Sequence, residues 1–118
     1  MTQQSGTSYL VVLSNPIAGK EEEYHKWYNE THVREVTQVE GILSAQRFKF
    51  SERQVRDNPA TDLVRQYKYL AIYEIEHGQE EQVIERLKQA MPNFEWQPVI
   101  DMNLGSMVME SITAKVGG

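Results

Sequence analysis

The chain is 118 residues long and carries 12 basic against 17 acidic residues, a formal charge of −5. That length suits one domain, and a chain of this size buries roughly two thirds of its unfolded surface, enough to fold without covalent staples. The acidic balance argues against a general nucleic-acid binder, and the absence of cysteine excludes disulfides, thiolate metal sites and a cysteine nucleophile.

The start of the chain, MTQQSGTS, is polar, with neither a basic opening nor a long apolar stretch. The expectation is a flexible arm over residues 1–7 ahead of a single domain over residues 8–115. The longest apolar run, residues 9–13, is far too short to span a bilayer. A cytoplasmic protein without membrane or nucleic-acid partners is therefore expected.

Residues 9–13 form an unbroken apolar run rich in β-formers, which suits a central strand covered on both faces. Asn15 and Pro16 then supply turn chemistry, and Gly19 precedes a helical pattern. Glu21, Glu22 and Glu23 oppose the positive end of the helix dipole, while Tyr24, Trp27, Tyr28 and Thr31 recur at spacings of three and four on one face. After Gly41, residues 42–50 alternate as a second strand. The polar stretch 51–66, with Asn58 and Pro59, reads as a long hairpin loop.

Residues 67–76 predict a third strand. Gly78 opens a second helix whose apolar stripe is Val83, Ile84, Leu87, Ala90 and Met91, and Pro92 stops it. Residues 92–104 look irregular and hold Phe94 and Trp96; residues 105–112 predict a fourth strand. The order β-α-β-β-α-β is the ferredoxin-like, α+β pattern of a four-stranded antiparallel sheet with both helices on one face. Large apolar residues on both sides of the first and third strands leave a second sheet face that needs a cover, and a homodimer packed sheet against sheet is the economical one.

His32 is the residue whose chemistry stands out. In a continuous helix Tyr28 and His32 lie one turn apart, within contact range. An imidazole titrating near neutrality can take a proton and return it, and a neighbouring phenol can orient it or polarise a substrate oxygen. The alternative is a histidine that caps the helix C-terminus. Tyr24, Trp27 and Tyr28 are either plain core or a pocket wall, and Tyr9, Phe48, Tyr69 and Tyr73 could face them from the strands. Arg47 could bind a carboxylate or phenolate, pair across a dimer, or point to solvent. Glu21 and His25 have a spacing a metal could use, but a solvated ion pair is favoured, so no metal or other cofactor is expected. His77 belongs in a turn, and Met107 and Met109 share one strand face, suited to an interface. No phosphate loop, nucleotide fingerprint or nucleophile elbow is visible.

The set Asn15-Pro16, Gly19, Glu22-Glu23, Trp27-Tyr28, His32 and Gly41, with Ala45-Gln46-Arg47-Phe48 and the run from Tyr69 to Glu74, resembles the dimeric α/β-barrel superfamily, and within it the EthD-like branch. The resemblance spans residues 8–115. It implies a ligand pocket between helices and sheet in each protomer, but not a reaction, because relatives include polyketide cyclases, muconolactone isomerase, dehydratases, a hydroxynitrile lyase, and cofactor-free and haem-degrading monooxygenases. The expectation is a small cofactor-independent lyase, cyclase, isomerase or dehydratase acting on an aromatic or polyketide-like carbonyl compound. His32 and Tyr28 would be catalytic, with Tyr24, Trp27, Phe48, Tyr73 and Arg47 around the substrate. A cofactor-free monooxygenase and a non-catalytic ligand binder are the alternatives.

Overall fold

The computed structural model describes residues 6–56 and 65–117. Most of the expected arm (residues 1–5) and the Asn58-Pro59 turn lie outside the described residues. The chain runs β1 (Ser8–Pro16), a helical segment in three parts, β2 (Ile42–Lys49), β3 (Tyr69–Ile75), α3 (Glu80–Ala90) with a short 3-10 turn (Met91–Asn93), and β4 (Ile100–Glu110). The three parts are α1 (Glu21–Trp27), a single wide π-turn (Tyr28–His32) and α2 (Val33–Thr37). The four strands form one antiparallel sheet in the order β2-β3-β1-β4, so this is the expected ferredoxin-like α+β fold.

β1 is central because it is apolar on both faces, and the register then assigns every strand residue a side. Leu10 sits opposite Tyr73 and Val108, and Val12 opposite Ala71 and Ser106. These residues face the helices, together with Ser14, Tyr69, Ala45 and Arg47. Tyr9, Val11, Leu13, Leu70, Ile72, Phe48, Met107 and Met109 face the other way. On that outer face Val11 and Leu13 are buried, while Phe48, Met107 and Met109 stay 40 to 46% exposed. Among the described residues no helix is long and apolar enough to cross a membrane.

Several boundaries differ from the sequence reading for physical reasons. β1 runs through Asn15 and Pro16, since Pro16 pairs with Ile100 at an edge where its missing N–H costs nothing. β4 begins at Ile100, not residue 105, and irregular register between Leu13 and Asn15 lets the long strand bend around β1. β2 ends at Lys49 and β3 begins at Tyr69. The arm is tied at its end: the Thr7 N–H donates to the Ser111 hydroxyl at 2.7 Å, and the Ser111 N–H returns a bond to the Thr7 carbonyl at 2.8 Å.

Gly41 joins the helical segment to β2 with φ +97°, and a Cβ there would collide with the Val83 side chain of α3. A left-handed backbone and a tight packing seam coincide, so Gly41→Ala should cost about 2–4 kcal/mol. Urea denaturation would measure it as a lower midpoint at unchanged slope.

Candidate functional site

The first helical segment carries the site, and its wide turn decides the geometry. At 3.6 residues per turn, side chains five apart point roughly 140° away from each other. In the π-turn the Val33 N–H reaches back to the Tyr28 carbonyl, and the extra residue per turn brings His32 under Trp27. Their rings stack with centroids 4.7 Å apart and planes 17° from parallel. Tyr28 meets the same imidazole edge-on at 5.1 Å, and Trp96 and Phe94 close its other sides at 5.0 and 5.7 Å. His32 is 7% exposed. It is therefore not an exposed helix cap but a histidine folded into an aromatic box.

Glu35 follows one turn later. Its Oε1 stands 3.6 Å from His32 Nδ1, an electrostatic contact too long for a hydrogen bond. Its other oxygen accepts the Glu95 backbone N–H at 2.6 Å. The Glu95 carbonyl in turn accepts the Trp27 indole N–H at 2.7 Å. The strand-entry segment with Phe94 and Trp96 is thus pinned to the first helical segment at both backbone groups of one residue.

Against this box lies a cavity of about 150 Å³ between sheet and helices. Leu10, Val12, Tyr73, Leu104 and Ser106 form its sheet wall, and His32, Val36, Leu87, Met91, Phe94 and Trp96 its helix and loop wall. The lining is largely apolar, with few polar groups. His32 Nδ1, Glu35 Oε1 and the Tyr73 hydroxyl are buried without a hydrogen-bond partner. Buried polar groups are nearly always paired; His32 Nδ1 and Glu35 Oε1 face each other at 3.6 Å, and of the three residues His32 and Tyr73 line the cavity.

Burial, opposed by Glu35, lowers the His32 pKa, so the ring is neutral at pH 7 and can accept a proton. Burial also pushes the Tyr28 phenol up to about 12, with Tyr24 adding to it. The Tyr73 phenol is raised well above the ordinary value by burial first and by Tyr28 next. Tyr73 is therefore a protonated donor. The Tyr28 hydroxyl is near enough to perturb it, yet the Tyr73 oxygen completes no aligned bond.

The sequence-derived set divides. His32 and Tyr73 face the cavity. Tyr28 and Trp27 touch His32 from behind and hold it without lining the cavity, so Tyr73 occupies the place expected for Tyr28. Tyr24 is fully buried and bonds the Ser14 hydroxyl at 2.5 Å. Arg47 lies over the Tyr28 ring at 4.4 Å and the Tyr24 ring at 5.4 Å, and donates to Asn29 Oδ1 at 2.7 Å, with His25 Nδ1 at 3.1 Å. It clamps helix to sheet on the far side of Tyr28. Phe48 sits on the outer sheet face, because its parity in β2 is that of Leu70 and Leu13. Glu21 is engaged by the Tyr69 hydroxyl and by Lys68 at 4.0 Å, and His25 acts on it electrostatically. Glu35, Phe94, Trp96 and Ser106 were not singled out as site residues in the sequence. Only the three-residue spacing of His32 and Glu35 could have signalled one of them.

The architecture is that of a ferredoxin-like α+β protein, with its candidate pocket between helices and sheet. No family model matches the chain, and no curated protein matches it in sequence. Solved structures share the fold. At3g17210 from Arabidopsis thaliana is 13% identical with a TM-score of 0.59, covering 93% of this chain and 98% of that one. A protein from Shewanella loihica PV-4, described provisionally as a monooxygenase, is 15% identical with a TM-score of 0.53, covering 97% and 100%. One from Bacillus cereus, described provisionally as an antibiotic biosynthesis monooxygenase, is 9% identical with a TM-score of 0.50, covering 97% and 100%. At such identities the likeness concerns the fold.

Because the pKa of folded His32 lies below the ordinary 6.5, the unfolded chain binds that proton more readily. Its contribution to stability is complete above 6.5 and is lost as pH falls through the folded value. His25, also lowered by burial first and Arg47 next, adds to the same slope. Denaturation midpoints between pH 7 and 5 should fall less steeply in His32→Gln, with His25 and, toward pH 5, the depressed carboxylates Glu21 and Glu80 contributing the slope that remains.

Proposed function

We propose that this chain is a small cofactor-independent enzyme of the dimeric α/β-barrel superfamily, in its EthD-like branch. It acts on an aromatic or polyketide-like carbonyl compound as a lyase, cyclase, isomerase or dehydratase. The observation that carries the reading is the buried imidazole of His32, neutral at pH 7, on the wall of a cavity that Tyr73 also lines. Nδ1 is turned to Glu35, which leaves Nε2 for the substrate. The imidazole takes a proton from carbon α to the carbonyl, and Glu35 stabilises the imidazolium that results. The Tyr73 phenol donates to the carbonyl oxygen as it gains charge, and the imidazolium returns its proton to the rearranged product or leaving group. Trp27, stacked on the ring, and Tyr28, edge-on, hold it in place.

Turnover of aryl ketones and polyketide-like lactones tests this. His32→Gln should lower kcat by about 10²–10⁴-fold, the usual reach of general acid–base catalysis. Glu35→Gln should lower it less and displace the pH profile. Undiminished turnover in His32→Gln would overturn the reading.

A second reading, a cofactor-free monooxygenase in which His32 deprotonates a phenol before oxygen attacks the ring, is favoured by the descriptions of the Shewanella and Bacillus proteins. An oxygen electrode separates the two, since stoichiometric oxygen uptake belongs only to the second.

The outer face supports a homodimer. Phe48, Met107 and Met109 are exposed there around the buried Val11 and Leu13, an apolar surface of the kind that marks association. Sedimentation should give twice the 13.7 kDa chain mass, and Met107→Lys should reduce it to the monomer. A wild-type monomer at high concentration would contradict the dimer.

A further inference from the structure

We infer that ligands reach the His32 cavity over the edge strand β4, through a gap between Ser106 and Met91, and that the small side chain at position 106 keeps this entrance open. This rests on the reading that the cavity is the ligand site. The cavity wall is not equally wet. Leu10, His32, Val36 and Tyr73 are buried and form its closed side. Among the described residues that line it, Met91 and Ser106 alone are exposed, so each borders the cavity and solvent together. β4 ends the sheet order β2-β3-β1-β4, which puts the gap at the sheet margin.

The two sides of the gap differ in kind. On β4, Ser106 sits opposite Val12 on the helix-facing side, and its neighbours on that side are Leu104 and Val108. A serine between two large apolar residues leaves a notch in the row. On the other side Met91 follows the last residue of α3, and its carbonyl accepts the Trp96 indole N–H at 2.8 Å. The Met91 backbone is thus tied to the cavity wall. Its thioether side chain is unbranched and 38% exposed, so it can change rotamer as a ligand passes. Neither residue is charged, so an apolar carbonyl compound crosses the gap without stripping water from an ion.

The test is a titration of the protein with 2-naphthol, in which NMR line shapes of the Trp96 indole N–H give both association and dissociation rates. Wild-type protein should bind the probe and shift that signal. Ser106→Phe should slow association and dissociation together by at least about tenfold, so that Kd changes less than either rate. Ser106→Ala, which removes the hydroxyl but keeps the notch, should stay within about threefold of wild type. Adding Met91→Ala to Ser106→Phe should restore most of the lost rate, because room lost on one side is regained on the other; a folding defect would not be repaired in this way. The inference is overturned if 2-naphthol leaves the Trp96 signal unmoved, if Ser106→Phe exchanges the probe as fast as wild type, if Ser106→Ala slows it equally, or if Met91→Ala restores nothing. Gated binding with no turnover of any carbonyl compound would support the entrance while removing the catalytic reading. Turnover that needs His32 yet ignores Ser106→Phe would remove the entrance and keep the catalytic reading.

Discussion

A histidine lying flat against a tryptophan five residues earlier is a contact that a regular α-helix does not provide. The wide turn over residues 28–32 provides it, and most of what gives this molecule a candidate site follows. Once His32 is carried inward it leaves water, so burial governs its charge. Among the described residues Glu35, fixed one turn further on, supplies the negative group that steadies a proton on it. The widened turn also opens the helix line enough for Phe94 and Trp96 to close around the ring. Single π-turns recur at functional sites in helical segments, and here the reason is visible in the packing.

Tyr28 divides the interior into two chemical regions. On one side the guanidinium of Arg47 rests on its ring and on Tyr24, an arrangement worth about 0.5–2 kcal/mol according to how far the cation is desolvated. On the other side its edge supports His32. The hydrogen bond between Tyr24 and Ser14 fastens the same helix to the middle strand. The aromatic density at the head of the first helical segment therefore has two purposes: it anchors the segment over β1, and it holds an imidazole rigidly where the sheet leaves space.

The architecture was legible because it rests on patterns of fixed period. The two-sided apolar run of β1, the alternation in β2 and the stripe on α3 each give a unique burial solution, so element order and sheet type follow. His32 was legible as a residue able to exchange a proton and Tyr73 as one able to face the helix, and both line the cavity. The partition of Tyr24, Trp27, Tyr28, Arg47 and Phe48 was not. Strand parity relative to the helices hangs on register, which a sequence does not display, and Phe48 fell on the outer side for that reason alone. The π-turn also moved His32 away from the face that a 3.6-residue period assigns, so the phenol that reaches the cavity comes from β3 instead of the helix. Glu35 was not singled out in the sequence, because the backbone N–H it accepts belongs to Glu95, sixty residues away.

That meeting of Glu95 with both Trp27 and Glu35 makes two distant stretches of chain a single inherited part. The chamber belongs neither to the front half of the gene nor to the back. A chimera with its crossover anywhere between β2 and α3 would join one lineage's imidazole to another's aromatic wall. The fold could survive such a graft, since sheet register does not involve this latch. The shape of the chamber would not, so divergence in that shape has to travel through residues 27–35 and 94–96 together.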